Sequence, residues 1–175
     1  MTKLSIIIPI YNEERYLDRC FSSLIRAGQP YAPEVEVIAI DDGSTDKSAD
    51  ILRDYAKGFP DLIIDSYHST NWGVSMTRNH GITLAKGDYI AFLDSDDAIF
   101  SEGISNILKT IGRKTDNVIQ FNHYRCGEQG CKVEARYYCT EHEYTLKDLP
   151  PKWAPVWNKI YKRSFMLILV HYLRI

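Results

Sequence analysis

Two spacings of apolar residues alternate along the chain. Leu4 to Ile10 is isoleucine-rich and apolar on both faces, which predicts a central parallel strand. Asn12 is placed to cap the next segment. There Tyr16, Leu17, Cys20, Phe21, Leu24 and Ile25 fall on one helical face, and Gly28 ends the helix. A proline-marked loop, Gln29 to Pro33, leads to a second strand, Val35 to Ile40. Ser44 is the expected cap of a second helix, which turns Ile51, Leu52 and Tyr55 inward and stops at Gly58. Leu62 to Tyr67 predicts a third strand. Asn71-Trp72-Gly73 opens a third helix to about Ala85, closed by Gly87, and Tyr89 to Leu93 predicts a fourth, buried strand. Further on, Ser101 to Ile111 predicts a helix. Asn117 to Arg125 and Lys132 to Cys139 predict a hairpin joined through Cys126 to Cys131. Pro150 and Pro151 break the chain, and Trp153, Trp157 and Tyr161 follow at helical spacing.

Strands alternating with helices imply an α/β fold with a parallel, helix-covered sheet. Ligands of such sheets bind beyond the carboxyl ends of the strands. The unusual residues sit there: Tyr11 after strand one, Asp41 and Asp42 after strand two, Asn71 after strand three, Asp94 and Asp96 after strand four. Four loops therefore converge on one rim. Asp94, Asp96 and Asp97 lie within four residues and repel one another, and a bound cation relieves that repulsion. In an extended backbone Asp94 and Asp96 point to the same side. That suits Mg2+ or Mn2+, held by one or two carboxylates plus substrate phosphates.

Composition narrows the field. The chain has 175 residues, enough for one domain with a core, and 45% hydrophobic content is ordinary for a globular protein. A net charge of −2 gives no footprint for nucleic acid. The N-terminal apolar run is short, contains Pro9 and lacks a cleavage site, so no signal peptide is expected. No stretch is long enough to span a membrane. Cys20, Cys126, Cys131 and Cys139 form no paired knuckles, and are read as reduced thiols of a cytoplasmic protein. A zinc site from the last three with His142 has poor spacing.

The glycine-rich fingerprints of dinucleotide-binding and P-loop proteins are absent. Glu13 and Glu14 open the first helix, where negative charge satisfies the helix dipole and repels a phosphate. A nucleotidyltransferase would carry a glycine-rich, basic loop here. What remains is an aromatic (Tyr11), a carboxylate pair able to accept from a base or ribose (Asp41, Asp42), and a metal-binding pair. That set suits a nucleoside diphosphate neutralised by a cation. Competing structural roles stay open. Tyr11 can staple the helix start, Asp41 and Asp42 can form a turn before Gly43, and Arg78 can pair with an aspartate.

With SIIIPIYNEERYL (Ser5 to Leu17), IDDGSTD (Ile40 to Asp46), NWGVSMTRNHG (Asn71 to Gly81) and GDYIAFLDSDD (Gly87 to Asp97) in this order, the chain resembles a family 2 glycosyltransferase of the GT-A fold. WNKIYKR (Trp157 to Arg163) resembles a motif of the family's bacterial polysaccharide branch. The resemblance implies a Rossmann-like, mostly parallel sheet covered by helices, with a short mixed hairpin and helix in the C-terminal part. It implies one domain over 1–175, with a nucleotide-sugar half over 1–100 and a partial acceptor half over 101–175. It implies a nucleotide-sugar donor, most often a UDP-sugar, with Mn2+ or Mg2+, and a glycan or lipid-linked acceptor. Carried over, Pro9 and Tyr11 line the base pocket. Asp42, with Asp41 beside it, accepts from base and ribose, and Arg78 shapes the base site. Asp94 faces ribose and metal, and Asp96 ligates the metal.

Inverting transfer needs a base for the acceptor hydroxyl. The resembled family places it after the W-N-K-x-Y segment, and here no acid follows Asp148. Glu141, Glu143 and Asp148 are the upstream substitutes. The expectation is a chain altered or cut short at its C-terminus, either a transferase or a nucleotide-sugar-binding fragment without the base. From Leu149 onward there are five basic residues and no acids, and Phe165 to Val170 is apolar. That combination can bring a segment to an anionic inner membrane surface, or pack as a helix or strand on the sheet.

Overall fold

The computed structural model describes residues 1–113, 117–120, 124–127, 130–133, 156 and 159–173. A six-stranded sheet has the order β3-β2-β1-β4-β8-β5. Its parallel part comprises β1 (Leu4–Ile10), β2 (Val35–Asp41), β3 (Ile63–Tyr67) and β4 (Tyr89–Phe92). Beyond β4, β8 (Lys159–Lys162) is antiparallel to both β4 and β5 (Val118–Gln120). A separate antiparallel ribbon pairs β6 (Tyr124–Gly127) with β7 (Gly130–Val133). The hairpin is thus tighter than the sequence predicts, because residues 126 and 131 are register partners inside the strands rather than part of the connection.

Alternation along β1 explains the layering. Ile6, Ile8 and Ile10 join one core with Leu17, Phe21 and Leu24 of α1 (Leu17–Gly28), Leu52 of α2 (Ser48–Gly58) and Ile104 of α4 (Gly103–Ile111). Ile7 faces the opposite core with Ile82 of α3 (Val74–Leu84) and Phe92, against which Met166 and Val170 of α5 (Arg163–Leu173) pack. Burying each such isoleucine is worth about 1.5–3 kcal/mol, so β1 anchors both layers. On α5, Leu167 and Ile168 face outward. Among the described residues no helix is long and apolar enough to cross a membrane.

Two close approaches position the rim. Gly81 lets α3 settle onto β1, for a Cβ there would meet Ile7 Cγ2 at 2.4 Å. Gly81→Ala is expected to lower stability by about 1–3 kcal/mol through overpacking, despite the roughly 1 kcal/mol gain in helix propensity. Urea unfolding measures it, and an unchanged midpoint would mean that Ile7 swings aside. Gly87, expected to close α3, does not do so, since the helix ends at Leu84. Its Cβ position lies 2.7 Å from Ser5 N, so its smallness brings the α3–β4 connection against β1. Buried Glu36 pins that crossing: Oε1 accepts from Ser5 Oγ (2.6 Å), Lys86 N (2.7 Å) and Gly87 N (3.3 Å).

Three other expectations are corrected. Asn12 does not cap α1 and Ser44 does not cap α2, whose flanking residues are Tyr16 and Lys47. Both side chains are taken by a tertiary contact between their two loops. Tyr161 lies in a strand rather than on a helix with Trp153 and Trp157. β8 is covered on both faces and so carries no period of its own. Trp153, Trp157, Pro150, Pro151, Cys139 and His142 lie outside the described residues.

Candidate functional site

At the carboxyl ends of β1 and β2, the two following loops are laced together. Asn12 adopts a left-handed backbone (φ 57°), which asparagine tolerates. Its Oδ1 accepts from Thr45 N (2.8 Å), and its own N–H donates to Ser44 Oγ (2.9 Å). Glu13 N donates to Ser48 Oγ (2.9 Å), Glu14 N to Asp46 Oδ2 (3.1 Å), and Lys47 N to Glu14 Oε2 (3.0 Å). The backbone N–H groups of the two loops that lead into α1 and α2 are thus spent on each other rather than left for a phosphate. Gly43 (φ 75°) holds the β2–α2 loop against the β3–α3 loop, where a Cβ would meet Thr70 C at 2.8 Å.

Asp42 is the hub of the rim. It is buried, and its N–H donates to Ile10 O (2.8 Å). Oδ1 accepts from Trp72 N (3.0 Å) and faces His68 Nδ1 at 2.7 Å, while Oδ2 accepts from Gly73 N (2.9 Å). Burial alone would raise its pKa. The hydrogen bonds from His68, Trp72, Gly73 and Thr77 outweigh that and hold the carboxyl below the usual range. Asp41, the preceding residue on an extended strand, points the other way. Its Oδ2 accepts from Ser44 N (3.1 Å), Oδ1 is buried without a partner among the described residues, and the side chain does not line the cavity described next.

A cavity of about 330 Å³ opens at this rim. β1 and its loop contribute Pro9, Ile10, Tyr11 and Glu13, and Asp42 and Asn71 form another wall. Val74, Thr77 and Arg78 enter from one face of α3, at i, i+3 and i+4, and Asp94, Ser95 and Asp96 come from the β4 end. Arg78 Nη2 binds Asp94 Oδ1 at 2.6 Å, its guanidinium lies 5.9 Å from the Phe92 ring centroid, and its buried Nε has no partner among the described residues. The Asp94–Asp97 segment is a turn, closed by Asp97 N donating to Asp94 O (3.0 Å), and not the extended stretch expected from sequence. Asp94 and Asp96 still face one cavity, and Arg19 holds the turn through the Asp96 carbonyl.

Glu13 stands close enough to this turn to feel it. Its pKa is raised by burial first, then by the charges of Asp96 and Asp46. Negative charge is therefore crowded here, and a cation would relieve it. Among the described residues no cluster of three or more ligating side chains exists. Asp94 and Asp96 fit Mg2+ or Mn2+ of the kind that takes its remaining oxygens from phosphates and water.

Pro9, Tyr11, Asp42, Arg78, Asp94 and Asp96, expected from sequence, are brought together. Glu13, Val74, Thr77 and Ser95 were missed. The helical spacing of Val74, Thr77 and Arg78 was the available signal, and buried His68 had none. Glu141, Glu143 and Asp148 lie outside the described residues.

The sequence model described as Glycosyl transferase family 2 matches residues 5–170. The chain is similar to Glycosyltransferase GlyG of Streptococcus pneumoniae, 30% identical over 169 residues, covering 94% of this chain and 54% of GlyG. It is 41% identical over 102 residues to the poly(ribitol-phosphate) beta-glucosyltransferase of Bacillus spizizenii, covering 58% of this chain and 16% of that protein. Among solved structures, TarS 1-349 of S. aureus in complex with UDP-GlcNAc superimposes with a TM-score of 0.74 at 28% identity, covering 99% of this chain and 48% of that one. The chain thus spans about half the length of GlyG and of TarS 1-349.

Proposed function

The chain belongs to glycosyl transferase family 2, and from that premise we propose that its cavity holds the donor of a sugar transfer. The donor is a nucleoside diphosphate sugar, with uridine as the favoured nucleoside. The transfer inverts the anomeric centre and delivers the sugar to a glycan or lipid-linked acceptor. The observation that carries this reading is the convergence of Pro9, Tyr11, Asp42, Arg78, Asp94 and Asp96 on one cavity at the carboxyl rim. The UDP-GlcNAc complex of TarS 1-349 supports the choice of donor.

Each group has a role in the reading. Tyr11 and Pro9 supply flat surface for the base, and Asp42 accepts a base N–H. Arg78 orients Asp94 through their ion pair. Asp94 and Asp96 would hold Mn2+ or Mg2+, which supplies charge neutralisation for a diphosphate leaving group. In the transfer, an acceptor hydroxyl oxygen bonds to the anomeric carbon. The bond from that carbon to the β-phosphate oxygen breaks, and the hydroxyl proton passes to a base. Glu141, Glu143 and Asp148 are the carboxylates to examine for that base.

Asp42→Ala is expected to weaken UDP binding in metal-free buffer by about 1–3 kcal/mol, the usual cost of losing a hydrogen bond to a charged partner. Calorimetry on protein shown to be folded by its melting curve measures it. Parent-like affinity would remove the base pocket from this rim.

A further inference from the structure

Behind Asp42 stands a row of rings that the donor reading leaves unused. His68 is buried; its Nδ1 faces Asp42 Oδ1 at 2.7 Å and its Nε2 faces His80 Nδ1 at 2.8 Å. Trp72 stacks on the same ring, with centroids 3.9 Å apart and planes inclined by 19°. The backbone of His68 is fixed as well, its N–H donating to Asp41 O (2.8 Å). We propose that His68 is a positioning residue for Asp42, and that His80 fixes which nitrogen of His68 carries the proton.

The argument is one of donors and acceptors. An ionised carboxylate only accepts, so Nδ1 of His68 must carry a hydrogen. In neutral His68 the other nitrogen, Nε2, is then bare and must accept. His80 meets that need by donating from its own Nδ1. The alternative tautomer of His68 would turn a lone pair toward Asp42 and lose that bond, and as long as His80 keeps its hydrogen on Nδ1 it would lose the second bond too. Burial, and then the neighbouring His68, lower the pKa of His80, which favours the neutral donor form. With His68 and Trp72 both on Oδ1, the greater remaining capacity to accept from a ligand is on Oδ2, which Gly73 orients and the Thr77 hydroxyl adjoins. His68 thereby selects the oxygen and the rotamer that Asp42 offers to the cavity. The inference rests on the reading of Asp42 as the acceptor of the nucleobase.

The test is UDP affinity in metal-free buffer for the whole chain and for Asp42→Ala, His68→Phe, His68→Asn and the Asp42→Ala/His68→Phe double variant. His68→Phe keeps a stacking ring but removes the donor, and is expected to bind about tenfold more weakly. His68→Asn places an amide N–H where Nδ1 stood, and should recover most of the loss. The double variant should bind no more weakly than Asp42→Ala alone, since the histidine acts through the carboxylate. If Asp42→Ala is weak while His68→Phe binds like the parent, or asparagine recovers nothing, the inference fails and the donor reading stands. If Asp42→Ala binds like the parent, the donor reading itself fails. Should the phenylalanine variant not fold, the imidazole 15N shifts of the parent decide. Protons on Nδ1 of both rings support the inference, and a proton on Nε2 of His68 overturns it.

Discussion

Asp96→Ala is expected to bind UDP equally well in Mn2+ and in a chelator. Its affinity should fall to the metal-free level of the parent. Asp96 is one of two carboxylates that would face the cation, and removing a unit charge from a dication near a protein surface costs on the order of a few kcal/mol. The fold should survive. Asp96 is exposed, so its loss opens no hole in the core, and it removes one of the two charges that, after burial, raise the pKa of Glu13. The melting temperature should therefore be unchanged or slightly raised. Asp96→Asn, which keeps an oxygen without the charge, should fall between the two. Calorimetry at several Mn2+ concentrations makes the comparison, and a metal-dependent gain retained by the alanine variant would reassign the ligand.

The second large effect concerns stability alone. Glu36→Ala is expected to cost about 3–5 kcal/mol. It strands the Lys86 N–H and the Ser5 hydroxyl hydrogen, leaves Gly87 N–H only its bond to Ser5 Oγ (2.9 Å), and opens a void where the side chain lay. For a chain of this size the melting temperature should drop by roughly 6–20 °C. Glu36→Gln keeps an accepting oxygen and should cost about 1 kcal/mol. Urea unfolding of both variants separates the terms. A loss under 1 kcal/mol for alanine would mean that water fills the gap and takes over the donors.

The parallel half of the fold was legible because doubly covered strands are written as continuous apolar runs, and β1 begins and ends where its run does. The rim was legible for a topological reason: every parallel strand delivers its following loop to one side of the sheet. Other features were hidden. Asn12 and Ser44 are good helix caps by residue type, but the same oxygens serve a contact between loops more than thirty residues apart in the chain. Asp41 and Asp42 are chemically identical in the sequence. Only the strand's alternation decides which one faces the cavity, and that depends on where β2 stops. β8 is four residues long and buried for most of its length, so it carried no period to set against the helical spacing of Trp153, Trp157 and Tyr161. His68 is the extreme case, since a buried imidazole between a carboxylate and a second imidazole announces itself only when β3 and α3 are brought together.

The antiparallel pairing of β8 with β4 also has a meaning for the birth of the chain. Tyr89 to Ala91 wait for partners about 70 residues later, at Ile160 to Lys162. At about 5–20 residues per second, a ribosome delivers those partners roughly 3–14 s after β4 itself. Meanwhile β1, β2, β3 and β4 can already form a parallel sheet, and its open border is the apolar segment Tyr-Ile-Ala-Phe. Such a border, unpaired and without a charge of its own, is a template for foreign strands. The nascent protein thus passes through an interval in which its parallel half is assembled and adhesive at the same time. β8 ends that interval by sealing the border.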